Sequence, residues 1–176
     1  MFLDWNQVFI SIIMGSDSDL PVLEGAFATL RDYGVPFEVH VLSAHRTPQA
    51  AADFARSARE NGFGAIIAAA GKAAHLAGAM AAGTTLPVIG IPVKSSTLDG
   101  IDALLSTVQM PSGMPVATVA IDGAVNAALL SVQILAVEDK ALADKLDAAR
   151  AAAAEKILKK NEMIFEKYSQ TAGGND

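Results

Sequence analysis

Two short segments of this sequence pair histidine with a basic residue, a combination that can transfer a proton and hold an anion. In the first, SAHRTP at residues 43–48, His45 stands beside Arg46. Histidine has an ordinary pKa suited to proton transfer at neutral pH, and arginine binds phosphate or carboxylate through two parallel hydrogen bonds. A solvated loop in which Arg46 pairs with an aspartate is the alternative interpretation.

The second segment, AGKAAH at residues 70–75, places Lys72 and His75 among small side chains. Glycine and alanine let a ligand lie close to the backbone, and amide groups at the start of a following helix can hold an anion. A single histidine on an alanine-rich helix can equally be a core or interface residue. The sequence leaves both interpretations of His75 open.

A third polar segment, GSDSD at residues 15–19, follows an apolar run. Serine and aspartate at such a position typically cap the next helix by accepting hydrogen bonds from its free N–H groups. They could also form a polar cradle for a ligand, with Gly15 permitting close approach to the backbone. Two aspartates suit ribose hydroxyls or an amine better than a bare phosphate.

Several functional classes are excluded by what the sequence lacks. It has no cysteine, which rules out a disulfide, a thiolate metal site and a thiol nucleophile. The P-loop, GxGxxG and GxSxG motifs are absent, and the three histidines lack the spacing of a metal site, so no metal is expected. A receiver domain needs an aspartate where the third apolar run ends in alanines, and a flavin site needs aromatic residues that the candidate loops lack.

Each polar segment follows an apolar run that predicts a β-strand. Such runs lie at residues 8–14, 37–42, 65–69, 86–93 and 115–121, and helical patterns lie at residues 19–33, 47–61, 73–82, 101–108, 124–137 and 140–167. This alternation indicates an α/β fold in which helices cover both faces of a parallel sheet. Ligands of such sheets bind beyond the carboxyl ends of the strands, so the three segments and residues 94–96 are expected at one edge.

Composition limits where such a domain can work. The 176 residues include 13 Lys and Arg against 19 Asp and Glu, and the net charge of −6 argues against a nucleic-acid partner. The mean hydropathy of +0.35 is high for a soluble monomer. Glycines and prolines interrupt the uncharged stretch between Lys72 and Lys94, and the start MFLDWNQ lacks the basic region of a signal peptide. We therefore predict a cytoplasmic soluble protein without a membrane partner, whose apolar surface is hidden in a homo-oligomer.

The chain is predicted to form one domain with short ends. We assign residues 1–7 to an N-terminal extension, residues 8–138 to a catalytic α/β domain, residues 139–168 to a C-terminal helical segment of that domain, and residues 169–176 to a tail. No linker, repeat or low-complexity tract separates these parts.

Over residues 8–146 the sequence resembles the catalytic-subunit family of phosphoribosylaminoimidazole carboxylase, and within it the N5-carboxyaminoimidazole ribonucleotide mutases. The resemblance rests on several motifs in order: IIMGSDSD, VLSAHRTP, AAAGKAAHLAGAMAA, LPVIGIPVKSSTLDG and NAALLSVQIL. It implies a three-layer, flavodoxin-like sandwich with a five-stranded parallel sheet and an extra C-terminal helix. It also implies a homo-octamer with active sites between subunits.

The resemblance further implies a reaction and its site residues. A carboxylate moves from the exocyclic nitrogen to carbon 4 of the aminoimidazole ring of a ribonucleotide, through a trapped CO2 and without any cofactor. His45 would be the catalytic acid and base, Ser16 and Asp19 would hold the ribonucleotide, and Arg46 would hold its phosphate. The pocket would be shaped by Ser43, Ala44, Ala70, Gly71, Ala73, His75 and Leu76.

Two positions depart from the mutase pattern, because Lys72 stands where that branch usually has glycine and Ala77 where it has proline. Lys72, which we include among the substrate-binding residues, could contact the substrate phosphate, point to solvent, or lower activity by crowding its loop. A basic residue here also resembles the branch that carboxylates aminoimidazole ribonucleotide directly with CO2, which is the alternative function. A non-catalytic ribonucleotide-binding module is the second alternative, and the presence of both His45 and Arg46 argues against it.

Overall fold

The computed structural model describes residues 8–169, so the predicted extension at residues 1–7 and the predicted tail beyond Ser169 lie outside the described residues. Within this range the strands are β1 (Phe9–Met14), β2 (Phe37–Val41), β3 (Phe63–Gly71), β4 (Val88–Val93) and β5 (Ala117–Thr118). The α-helices are α1 (Leu20–Tyr33), α2 (Pro48–Ser57), α3 (Leu76–Gly83), α4 (Ile101–Val108), α5 (Ala124–Leu135) and α6 (Lys140–Tyr168).

The strands form one sheet in the order β2-β1-β3-β4-β5, and all pairs are parallel. In chain order, β2 is added on one side of β1, and β3, β4 and β5 are then added in turn on its other side. This is the flavodoxin-like order, and it opens a crevice at the carboxyl ends of β1 and β3, where the two directions diverge. The predicted fold class is confirmed.

Apolar strands hold the helices on both faces of the sheet. Side chains of a strand point alternately to opposite faces, and here both faces are buried. On one face Ile12, Ile67 and Ile91 contribute to a core that also contains buried side chains of α1 and α5. On the other face Ile13 and Ile66 belong to a second core with buried side chains of α2 and α3. The result is a three-layer sandwich.

The long helix α6 leaves this sandwich after its first turns. Asp139 caps it, because its Oδ1 accepts hydrogen bonds from the N–H groups of Ala141 and Leu142 at 2.8 and 3.1 Å. Leu142 and Leu146 are buried against the core, whereas residues 147–169 are exposed in the single chain. No helix within residues 8–169 combines the length and the apolar run that crossing a membrane requires.

Most elements match their predicted bounds to within two residues, but helix α2 was predicted to end at residue 61 and ends at Ser57. Two further elements differ for local reasons. β5 has two residues instead of seven, because beyond Thr118 the chain follows β4 only through isolated bonds, such as that from the N–H of Asp122 to the carbonyl of Pro92 at 2.9 Å. Helix α3 begins at Leu76 rather than at residue 73. The backbone of Lys72 is left-handed, with φ of +56°, and residues 73–75 form a tight turn in which the N–H of His75 donates to the carbonyl of Ala73, so the helix starts after them.

Candidate active site

A cavity of about 710 Å³ lies at the carboxyl ends of β1, β2, β3 and β4. The four segments that follow these strands form its wall, as expected for a parallel sheet with this strand order. Every residue that the sequence assigned to catalysis or substrate binding lines it: Ser16, Asp19, Ser43, Ala44, His45, Arg46, Ala70, Gly71, Lys72, Ala73, His75 and Leu76.

The segment after β1 both caps a helix and lines the cavity. Residues Asp17–Asp19 form a short 3-10 helix, and the Oγ of Ser16 caps it by accepting a hydrogen bond from the N–H of Ser18 at 3.3 Å. Asp19 is buried, which raises the pKa of its carboxyl group above the ordinary value, and Arg46 opposes this only in part. The capping and cradle interpretations of this segment are therefore compatible.

The segment after β2 is a turn that fixes Arg46. The N–H of Ser43 donates to Oγ1 of Thr47 at 2.9 Å, and the N–H of Thr47 donates to the carbonyl of Ser43 at 2.9 Å. Arg46 then donates its backbone N–H to Oγ of Ser43 at 3.2 Å and its Nη2 to the carbonyl of Gly15 at 2.6 Å. The guanidinium is thus tied to the β1 side of the cavity, with donors left over for an anion.

His45 and His75 meet although they lie on different segments. Nε2 of His45 is 2.9 Å from Nδ1 of His75, and the two rings are nearly perpendicular, with centroids 5.0 Å apart. A hydrogen bond between imidazoles requires one ring to donate and the other to accept. The contact orients the His45 ring at the cavity, and His75 lines the same cavity.

The segment after β3 brings the backbone itself to the cavity. A Cβ at Gly71 would lie 3.1 Å from the carbonyl oxygen of Val93, so the adjacent β4 leaves little room for a side chain there. Lys72 follows with its left-handed backbone, and a tight turn from the N–H of His75 to the carbonyl of Ala73, 2.8 Å long, leads into α3. The small side chains leave main-chain groups accessible to a ligand.

The structure adds cavity residues that were not among the predicted catalytic or substrate-binding residues: Gly15, Ser18, Val22, Val93, Lys94 and Ser95. Of these, Lys94 and Ser95 follow β4, at the edge where ligands were expected, and Lys94 forms an ion pair with Asp99 at 3.0 Å. Val22 lies one helical turn after Asp19. Its i+3 spacing from Asp19 is the sequence signal that could have identified it as a cavity residue. Residues 8–169 contain no group of three or more histidine and carboxylate side chains able to hold a metal ion.

Comparisons with known proteins identify relatives over most of the chain. The family model of AIR carboxylase matches residues 9–156. The chain is 52% identical to the N5-carboxyaminoimidazole ribonucleotide mutase of Pyrococcus horikoshii over 168 residues, which cover 93% of this chain and 94% of that protein. It is 54% identical to the phosphoribosylaminoimidazole carboxylase of Saccharomyces cerevisiae over 90% of its own length, but it spans only 26% of that longer protein.

A solved structure resembles the fold over nearly its whole length. The crystal structure of Treponema denticola PurE superimposes with a TM-score of 0.81 at 26% identity, covering 93% of this chain and all of that one. Since the family model and relatives of about half-identical sequence both span most of the residues that build the sheet and its cavity, the chain belongs to the AIR carboxylase family.

Proposed function

We propose that this chain is an N5-carboxyaminoimidazole ribonucleotide mutase, which makes 4-carboxy-5-aminoimidazole ribonucleotide in purine biosynthesis. Relatives of that name from Pyrococcus horikoshii and Thermotoga maritima are 52% and 48% identical to it, and each is covered to more than nine tenths. The observation that carries the proposal is the hydrogen bond between His45 and His75 at the cavity. It presents an oriented proton-transfer group to a ligand, which a purely binding site would not need.

Two opposite proton transfers by His45 account for the reaction. As the bond between the exocyclic nitrogen and the carboxylate carbon breaks, its electron pair stays on nitrogen, which takes a proton from the protonated His45 ring. The CO2 released is then attacked by ring carbon 4, forming the new carbon–carbon bond. His45 takes the proton that carbon 4 loses, so the enzyme returns to its starting protonation state and no other reactant is consumed.

The remaining cavity residues are proposed to bind and enclose the substrate. Arg46 has free guanidinium donors beside the loop after β1, which supports a role in binding the phosphate. Asp19 and Ser16 lie on the same side and suit the ribose hydroxyls. The small or apolar residues Ala44, Ala70, Gly71, Ala73 and Leu76, with Ser43, line the cavity, and their proposed role is to retain CO2 and keep water away from it when the substrate is bound.

Turnover of the purified protein with the N-carboxylated nucleotide at low bicarbonate tests the proposal. We expect wild-type activity, and His45→Asn should lower kcat by about 100-fold or more because the proton donor is lost, while nucleotide binding stays within about threefold. His40→Asn is the matched control, since His40 lies outside the cavity and pairs with Glu38. Full turnover by His45→Asn would contradict the assigned role.

Direct carboxylation of aminoimidazole ribonucleotide is the second candidate, favoured by the basic Lys72 in the cavity wall. Some relatives, including that of Saccharomyces cerevisiae, carry the name phosphoribosylaminoimidazole carboxylase. Activity with aminoimidazole ribonucleotide and CO2, but not with the N-carboxylated nucleotide, would establish this function and refute the mutase.

We also propose that the enzyme is a homo-octamer in the cytoplasm. Leu98, Ile101, Leu105 and Val108 form an exposed apolar surface on and just before α4, which we call the α4 surface. Further exposed apolar side chains, including Ile157, Phe165 and Tyr168, lie on α6. Exposed apolar surface of this kind supports assembly. A substrate carrying phosphate and carboxylate groups does not cross a bilayer unaided, so the enzyme must share the compartment in which the nucleotide is made.

A further inference from the structure

Lys72 adopts a backbone conformation that disfavours any side chain, and it does so in the cavity wall. Its φ is +56°, in the left-handed region that glycine adopts at low cost. The other non-glycine residues with positive φ, Leu98, Asp99 and Asp122, do not line the cavity. Strained backbone of this kind tends to be retained where a side chain serves the site.

The charges around the cavity leave Lys72 available to a ligand. The basic residues that line it are Arg46, Lys72 and Lys94. Arg46 donates to the carbonyl of Gly15 and Lys94 pairs with Asp99 at 3.0 Å. Lys72 has no ion pair and no hydrogen bond from its ammonium group within residues 8–169. An ammonium without a partner at the edge of a cavity can pair with an anionic ligand.

Lys72 lies on the loop that carries His75, whereas Arg46 lies on the loop after β2. Arg46 is tied to the loop after β1, so the phosphate is assigned to that side. The carboxylate that moves must lie at His45, whose ring contacts His75. Lys72 precedes His75 by three residues on the same loop. Three residues span at most about 10 Å between Cα atoms, and an extended lysine side chain can bridge most of that distance.

We propose that the ammonium group of Lys72 binds the carboxylate that the enzyme transfers, which makes Lys72 a specificity-determining residue of this site. The inference rests on the proposed function. The carboxylate is charged in the bound substrate and in the bound product, but CO2 between them is neutral. Lys72 therefore stabilises the bound nucleotides more than the state in which CO2 is free, and such binding lowers KM without raising kcat.

Binding measurements with two nucleotides test this assignment by isothermal titration calorimetry. 4-Carboxy-5-aminoimidazole ribonucleotide carries both anionic groups, whereas aminoimidazole ribonucleotide carries the phosphate alone. We expect Lys72→Met to weaken binding of the carboxylated nucleotide roughly tenfold, the size of one charge-assisted hydrogen bond, and binding of the other by less than about twofold. In turnover, KM should rise while kcat stays the same or increases.

Three further variants make the result decisive. Lys72→Arg keeps the charge and should retain most of the discrimination. Lys72→Gly removes the ammonium group in a residue that tolerates the left-handed backbone, so it should show the same selective loss without impaired folding. Lys140→Met is the matched control, because Lys140 is 86% exposed on α6 and lies outside the cavity.

Two outcomes would overturn the proposal. Equal weakening of both nucleotides would assign Lys72 to the phosphate, and unchanged binding of both would place its side chain in solvent. Failure of the proposed function has a different signature, since the wild-type protein would then bind neither nucleotide or would bind both without converting the N-carboxylated one.

Discussion

Asp19 is the acidic residue of the cavity wall within the described chain, and it is held in an unfavourable environment. Its carboxyl group is buried, and burial raises its pKa above the ordinary value, against smaller opposing effects of hydrogen bonds at Ser16 and Ser18 and of the charge on Arg46. Folding therefore favours the protonated form of this group. The favourable contribution of Asp19 to the free energy of unfolding is complete at pH values below its unfolded-state pKa. It is lost as the pH rises through its folded-state pKa. At neutral pH the buried charge costs stability.

We therefore expect Asp19→Asn to be more stable than the wild type at neutral pH, with a difference that shrinks as the pH falls toward the ordinary aspartate value of 3.8. Urea unfolding over a pH series measures this difference. The same variant should bind the ribonucleotide more weakly, because one of the two carboxylate oxygens that can accept from ribose hydroxyls becomes an NH2 donor. Asp17→Asn, at an exposed neighbour, is the control, and a loss of stability for Asp19→Asn at neutral pH would refute the prediction.

The backbone at Lys72 leads to a second prediction at the scale of one residue. Glycine relieves the left-handed strain of about 1–2 kcal/mol, but it also loses more entropy on folding, by about 0.5–1 kcal/mol. Lys72→Gly should therefore raise the free energy of unfolding by up to about 1.5 kcal/mol. Chemical denaturation of the substrate-free protein measures it. A matched Lys94→Gly change, at a residue without positive φ, should give no gain, and destabilisation by Lys72→Gly would contradict the argument.

The sequence identified the candidate site residues because three polar segments follow predicted strands, and parallel strands bring such segments to one edge. Two features of the site could not be predicted in this way. The contact between His45 and His75 depends on the rotation of two side chains across neighbouring loops. The left-handed backbone of Lys72 opposes the usual preference of lysine, so no local propensity indicates it. Both features depend on tertiary packing.

Among the elements, β4 shows how closely the helices approach the sheet. Gly90 lies in its centre, and a Cβ at this position would be 2.4 Å from Cγ2 of Thr107 and 3.2 Å from Cβ of Ala77. Helices α3 and α4 therefore both depend on the absence of a side chain at residue 90. Because α3 follows the loop that carries Lys72 and His75, this packing also sets the position of one cavity wall.

Gly90→Ala should lower the free energy of unfolding by about 1–3 kcal/mol, since the added methyl group overpacks a rigid core. Urea denaturation followed by circular dichroism measures the loss. Gly15→Ala is the matched control, because its Cβ would have 4.0 Å to the nearest heavy atom and its stability should not fall. A Gly90→Ala variant as stable as that control would show that α4 moves away at little cost.

The bounds of an element were predicted well where its apolar pattern stops at a helix- or strand-ending residue. They were predicted less well where contacts with other elements determine where the hydrogen bonding ends. The prediction of α4 at residues 101–108 is confirmed. β5 was predicted as seven residues from its apolar composition, yet at the edge of the sheet only Ala117 and Thr118 pair with β4 in regular register. Composition alone does not indicate where a ladder of hydrogen bonds stops.

At the scale of the whole molecule, apolar residues that the single chain leaves exposed are concentrated on the α4 surface and on α6. Leu98 is 66% exposed and Leu105 53%. Ile101, Leu105 and Val108 follow the i, i+4, i+7 spacing of one helix face, while Ala103 and Thr107 on the other face are buried against the sheet. Thus α4 has apolar residues on its exposed side as well as on the side that packs against the sheet, which supports the proposed assembly.

We expect Leu105→Glu to reduce the mass of the assembly measured by light scattering after gel filtration, because the charge would be buried in the proposed interface. The single chain should remain folded, as Leu105 is not part of either core. Asn61→Glu, which adds the same charge at an exposed polar residue, is the control. An unchanged mass for Leu105→Glu would exclude the α4 surface from the interface.

The direction of β1 separates the start of the described chain from the site of chemistry. β1 has six residues between Phe9 and Met14, and the cavity begins at the residue that follows it. At about 3.3 Å per residue, its two ends are roughly 20 Å apart. A reporter protein or an immobilising tether attached ahead of Phe9 therefore joins the sheet at the edge opposite the cavity. Attachment at this end of β1 therefore leaves the cavity end of the strand unmodified.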